Sequence, residues 1–112
     1  MQSPRVFIPQ VVERWDQDND RFEPVHDFSS AAEYGMIVTI LERNDNPLFL
    51  ARLTTKMRDA LKDFNADDYF IAVGDPSVVA ICAGLILRRN SQLKLLKWDR
   101  RTGRYLSLQI NV

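Results

Sequence analysis

The sequence predicts a small α/β fold: a three-stranded parallel core in β-α-β-α-β-β order, an antiparallel C-terminal edge strand and an irregular N-terminal β flank. Three observations point there. Tyr69–Leu87 reads as a buried strand, a tight turn and a helix that is apolar on nearly every face. Met36–Leu41 is β-branched and apolar on both faces, as a central strand in a covered sheet requires. Tyr105–Val112 alternates, with Leu106, Leu108, Ile110 and Val112 on one face and Ser107, Gln109 and Asn111 on the other.

The elements follow in order. Val6–Val12 is an opening strand, and Pro9 within it cannot donate to a ladder, so an edge or bulged strand is expected. Trp15–Arg21 is a polar turn, and Phe22–Val25 is extended. Ser30-Ala31-Ala32-Glu33 matches a capping box in which Ser30 caps a short helix, and Gly35 suits its left-handed end. Asn44–Pro47 is a turn, and Leu48–Leu50 is either extended or a lead-in. Thr54 or Thr55 then caps a helix to about Phe64, whose Leu53, Met57, Ala60, Leu61 and Phe64 share one face. The strand Tyr69–Val73 ends at Gly74. Asp75 is a suitable N-cap, Pro76 a suitable first helical residue, and the helix runs to about Arg89 with Asn90 as its stop. Leu93–Trp98 is the next strand, and a hairpin at Asp99–Gly103 leads to the last one. Strands near 36–41, 69–73 and 93–98 are expected to run parallel through right-handed crossovers.

Length and composition bound the function. One domain over residues 1–112 is the natural reading, and 46% apolar with 27% charged residues is ordinary for a globular chain. The single cysteine, Cys82, excludes an intramolecular disulfide, which fits a reducing cytoplasm. Met1–Arg5 carries no apolar leader segment, and the apolar run Val78–Leu87 is too short to span a bilayer. The net charge of zero hides an asymmetry. Residues 1–75 hold 8 Lys and Arg against 14 Asp and Glu, a net of −6, and residues 76–112 hold 7 against 1, a net of +6. Either folding keeps these halves apart and makes an electrostatic dipole, or the halves pack and neutralise each other.

Several residues combine in ways that chemistry could use. Glu42, Asp75 and Asp99 each follow a proposed parallel strand, where open α/β sheets bind ligands. Convergence of the three would hold a Mg²⁺ ion and support phosphoryl-transfer or nuclease-like chemistry. The plainer account is a helix cap at Asp75, a hairpin at Asp99 and a solvated Glu42. Lys94, Lys97, Trp98, Arg100, Arg101, Arg104 and Tyr105 mix cations with aromatics, as a nucleic-acid or partner-binding surface does, although Trp98 and Tyr105 also suit a cross-strand pair. His26-Asp27 could orient a general base, but no nucleophile motif accompanies it. Asp16-x-Asp18-x-Asp20 resembles the start of a calcium loop, yet Arg21 stands where that loop needs glycine, and a solvated acidic turn is the better reading. Neither G-x-G-x-x-G nor a G-x-x-x-x-G-K-[ST] loop occurs, and no cofactor is expected. The apolar helix 76–89 is either sandwiched in the fold or half of a homodimer interface.

Ile8-Pro9, Asp67-Asp68-Tyr69, Gly74-Asp75-Pro76 and Leu96–Arg100 with Arg104-Tyr105 together resemble a family of small uncharacterised proteins from tailed bacteriophages, of marine podovirus-like type. The resemblance covers most of the chain and brings no assigned activity or site. It implies a phage accessory protein acting in the host cytoplasm. The function expected is therefore non-enzymatic: binding of a host or phage macromolecule, most simply a protein, through oppositely charged faces. A metal-dependent enzyme and a nucleic-acid-binding module are the alternatives, and no membrane association is expected.

Overall fold

A computed structural model describes residues 3–112; Met1 and Gln2, part of the segment read for a leader, lie outside the described residues. The chain runs β1 (Arg5–Gln10), β2 (Glu13–Asp16), β3 (Arg21–Pro24), a 3-10 turn (Ser29–Glu33), β4 (Met36–Leu41), α1 (Leu50–Leu61), β5 (Tyr69–Phe70), α2 (Pro76–Arg89), β6 (Gln92–Asp99) and β7 (Arg104–Asn111). Five strands form one sheet in the order β4-β1-β5-β6-β7, parallel except for the β6–β7 pair. The α/β class, the second helix and the antiparallel C-terminal edge are as the sequence predicts, and the first helix is present but begins and ends earlier than its Thr54 or Thr55 cap and Phe64 end suggested.

The first strand is the main departure. β1 is not an edge but lies inside the sheet, so the parallel core has four strands and β4 takes the edge. Val6, Phe7, Ile8 and Pro9 are buried, whereas Met36 at the start of β4 is largely exposed. Pro9 is tolerated for a simple reason. The Phe7 carbonyl accepts from the Ile71 amide (3.0 Å), so by alternation the Pro9 nitrogen faces the same side, beyond Phe70 where the β5 ladder stops. No donor is needed there. β5 itself has two residues rather than five, because the Val73 amide turns back to the Ile71 carbonyl (3.0 Å) and Gly74 adopts φ +108°.

Sheet order explains the two cores. The link from β1 to β4 moves one way along the sheet, and the links β4 to β5 and β5 to β6 move the other way. A common hand for all three requires the first to cross the opposite face. It does so. α1 and α2 cover one face, where Leu53, Met57, Val78, Cys82 and Ile86 pack with Phe7, Phe70 and Leu93. The 3-10 turn covers the other, where Ala31 packs with Val6, Ile8, Leu96 and Tyr105. β2 and β3 form a separate antiparallel ribbon, where the sequence suggested only a polar turn and an extended piece; Trp15 meets Phe22 edge-on across it.

Local devices differ from expectation in three places. Ser30 lies inside the 3-10 turn and forms no cap; Asp27 instead accepts from the Ser29 amide (2.9 Å). α1 starts at Leu50, without a side-chain cap, and Thr54 bonds back to the Leu50 carbonyl (2.6 Å) from within the helix. Gly35 is required by closeness rather than by a left-handed backbone. A Cβ there would lie 2.5 Å from the Pro4 carbonyl oxygen, which already accepts from the Met36 amide (3.1 Å). α2 matches expectation. Asp75 caps it, Asn90 ends it, and Val78, Cys82 and Ile86 form its buried line. Its outward line is Ala80, Gly84 and Arg88, all exposed.

Asp68 is the one buried charged side chain among the described residues. Its carboxylate accepts from the Arg5 amide (3.0 Å), from Arg5 Nη2 (2.8 Å) and Nε (3.3 Å), and from the Asn65 amide (3.0 Å). Asp68→Ala is expected to cost about 3–5 kcal/mol, because it strands the half-buried Arg5 guanidinium and two amides; urea denaturation measures it. Two glycines give opposite outcomes in the same assay. Gly35→Ala is expected to destabilise by about 1–3 kcal/mol through overpacking. Gly84→Ala, in mid-helix with nothing within 4 Å of the added carbon, is expected to stabilise by about 0.5–1 kcal/mol.

Candidate functional site

Two of the three strand-end carboxylates, Asp75 and Asp99, serve local turns. Asp75 accepts from the Ser77 hydroxyl and from the Ser77 amide (2.9 Å), and these two bonds hold its carboxyl below the usual carboxylate range. Asp99 accepts from the Thr102 hydroxyl (2.7 Å) and the Arg101 amide (3.1 Å), which lower its pKa in the same way. Glu42 is exposed at the end of the edge strand β4, and β1 stands between that strand and β5. Among the described residues no group of three or more His, Cys, Asp or Glu side chains is placed to hold a metal ion. The acidic turn at 16–20 is closed internally: Asp16 accepts from the Asp18 amide (3.0 Å) and from the Asn19 side chain (2.7 Å). The Cys82 thiol is buried against Met57 (3.4 Å), and burial pushes its pKa up to about 12, far from a nucleophile's range.

One concavity is an open groove of about 960 Å³. One wall is the Val25–Ser30 segment. The floor is Ile71–Val73 and Leu95–Lys97, and the far wall is Trp98, Arg100, Gly103 and Tyr105. It opens beyond the carboxyl end of β5, beside the place where the chain changes direction along the sheet. The groove joins two features that the sequence left separate: the His26-Asp27 pair and the aromatic end of the basic hairpin. Trp98 meets Tyr105 edge-on at 5.1 Å, a close cross-strand pair, and stays about half exposed. Asp27 is turned to the Ser29 amide and hydroxyl, which lower its pKa. Burial, and then the Asp27 charge, push the Tyr105 phenol up. Ser29 and Ser30 also line the groove. No sequence motif marks them as site residues, because only the 3-10 turn's packing over β1 brings them there.

The seven hairpin residues divide between surfaces. Lys94 places its Nζ 4.2 Å from the Tyr69 ring centre, on the face of the 3-10 turn. Lys97 and Arg104 alternate onto the helix-covered face, while Arg100 and Arg101 occupy the turn. A second cluster of cations forms at the helix ends, where Arg58, Lys62, Arg88 and Arg89 surround a depression of about 440 Å³. They sit at the negative ends of both helix dipoles.

Direct ion pairs form within the first part of the chain. The ion pairs among the described residues are Arg5–Asp68, Arg21–Glu23, Lys56–Asp45 and Lys62–Asp59. All lie within residues 5–68. None of the seven cations beyond residue 76 takes part in one.

A family model described as "Phage Pam3 gp32-like protein" matches residues 4–112. The chain belongs to this family. It is therefore a member of a small phage protein family, as the resemblance implied. No curated protein and no solved structure matches the chain. As a gp32-like chain it has no helix among the described residues long and apolar enough to cross a membrane.

Asp75 provides a pH test of this family member's strand-to-helix junction. Asn at position 75 keeps a capping oxygen but no charge. Because the folded pKa of Asp75 lies below the ordinary 3.8, its charged cap contributes fully above that value and is lost as pH falls through the folded one. The stability difference between wild type and Asp75→Asn is expected to be constant at neutral pH and to change only below 3.8. Urea titrations from neutral to acid pH read this directly.

Proposed function

We propose that this gp32-like chain is a non-enzymatic phage accessory protein of the host cytoplasm that binds a host or phage macromolecule through oppositely charged faces. The observation that carries this reading is the absence, among the described residues, of any ion pair between the acidic first two thirds and the basic last third. The cations of the turn, Arg100 and Arg101, are exposed and available to a partner, and Arg104, also exposed, stands opposite Asp99. The β2–β3 ribbon and its turn carry Glu13, Asp16, Asp18, Asp20 and Glu23 against Arg14 and Arg21, a net of −3, on a separate two-stranded unit. Surface charges of this kind contribute little to folding, so their segregation is available for association. A protein partner with an acidic surface fits the hairpin.

The second reading is a nucleic-acid-binding module, favoured by one detail: the half-exposed Trp98 ring beside Arg100 in the groove, a stacking surface next to a cation. One experiment separates the two. Tagged wild type and an Arg100→Glu/Arg101→Glu/Arg104→Glu variant are used for pull-downs from host lysate, with and without nuclease. A captured protein that survives nuclease and binds the variant at least about tenfold more weakly, a change of about 1.4 kcal/mol, is the expected result. Capture that vanishes with nuclease favours the second reading. Equal capture by the variant removes the basic hairpin from both.

A further inference from the structure

We propose that β7 is a self-pairing edge: two copies of the chain join antiparallel through β7, about a two-fold axis at Gln109, so that their sheets become one.

Exposed edges are normally guarded by charge, proline, a bulge or shortness. β7 has none of these from Tyr105 onward. It is eight residues long, pairs one-for-one with β6 from Asp99–Arg104 to Gln92–Asn111 without a bulge, and contains one charge, Arg104, at its start. Four aliphatic side chains on one of its faces remain open: Leu106 at 43%, Leu108 at 45%, Ile110 at 39% and Val112 at 77% of full exposure. A solitary exposed leucine is unremarkable, but an alternating row along an unguarded edge is a pairing surface.

The backbone bonds decide which groups are free. The Val112 amide donates to the Ser91 carbonyl (3.0 Å), so even-numbered residues of β7 face β6 and odd-numbered ones face outward. Tyr105 confirms the alternation, because its outward carbonyl is taken by the Tyr34 hydroxyl (2.8 Å). That leaves the Tyr105 amide at the start of the strand and, beyond it, the amides and carbonyls of Ser107, Gln109 and Asn111. These three are symmetric about Gln109. An antiparallel partner centred there matches Ser107 with Asn111 and Gln109 with itself, and each such pair exchanges two bonds. The same axis sets Leu108 against Ile110 and Leu106 against Val112 on the apolar face. One centre therefore satisfies the open backbone groups of Ser107, Gln109 and Asn111 and matches all four open aliphatics. It also keeps the two copies of Arg104 at opposite ends of the ribbon, so no like charges meet. Such self-complementarity is what an isologous interface demands, and it identifies the occupant as a second copy.

The apolar row lies on the face of Leu93 and Leu95, which α2 covers. In the pair, the two α2 helices flank a shared apolar strip.

The test is mass measured by light scattering on the full chain across the micromolar range. Wild type is expected at twice the 13.0 kDa of the chain. Gln109→Pro removes an outward amide that β6 does not use, and Ile110→Lys sets a cation in the apolar row. Both are expected to halve the mass while far-ultraviolet circular dichroism stays unchanged. Gly84→Arg, on the outward line of α2, is expected to leave the dimer intact. Amide hydrogen exchange gives a readout independent of any variant: the amides of Ser107, Gln109 and Asn111 slow with rising concentration, whereas those of Leu106, Leu108 and Ile110 are slow throughout. A wild type that stays monomeric, a dimer that survives both β7 variants, one broken by Gly84→Arg, or outward amides indifferent to concentration would overturn the proposal.

Discussion

The Asp68 carboxylate is the fixed point of this structure. It lies just before β5 and reaches across 63 positions of sequence to the amide and guanidinium of Arg5, the first residue of β1. It also ties the Asn65 amide of its own turn. A charge so buried is tolerable only when all its acceptor sites are used, and here four donors converge on it. The consequence is register. With Arg5 held beside Asp68, Val6 must face Tyr69 and Phe7 must face Phe70. β4 then aligns on the other side of β1, from Arg5 against Met36 to Gln10 against Leu41. A one-residue slip would exchange Phe7, which packs under the helices, with Val6 and Ile8, which pack under the 3-10 turn.

From that register the groove follows. β1 is placed in the sheet interior, so its outgoing connection must run to the face that the helices leave free. This carries His26, Asp27 and Ser29 over the ends of β5 and β6 and opposite Trp98 and Tyr105. The site is assembled by topology. Its two walls come from segments some seventy residues apart, and neither wall is a ligand pocket by itself. The charge asymmetry follows a different logic. Acidic residues are concentrated before residue 76, and the ion pairs that form are all early in the chain, so the hairpin keeps its charge at the surface.

Much of the fold was legible because its signals are local. Asp75-Pro76 announces a capped helix, and the alternation of Tyr105–Val112 announces a strand with two unlike faces. The misread parts depend on contacts that no local pattern encodes. Pro9 argues for an edge, and only the early end of β5 makes an interior proline harmless. Gly35 looks like a helix terminator, whereas its smallness serves the passage of Pro4. Met36–Leu41 has the composition of a central strand yet occupies an edge, because β1 enters the place beside it. Likewise the hairpin cations were visible as a group, but their division between two faces and a turn emerges only from the pairing with β6.

The shortness of β5 has a further consequence. On one side stand β4 and β1, on the other β6 and β7, and each pair is joined by a full ladder. Between the pairs the hydrogen-bonded bridge is two residues wide toward β1 and a single register position toward β6. The unity of the sheet is thus owed to side chains more than to backbone. Phe7, Phe70, Val78, Cys82 and Leu93 share one apolar cluster that spans the seam. On the other face Val6, Ile8, Ile71, Leu96 and Tyr105 span the same seam, so the cooperativity of the fold rests on side-chain packing on both faces across a seam that the ladder barely closes.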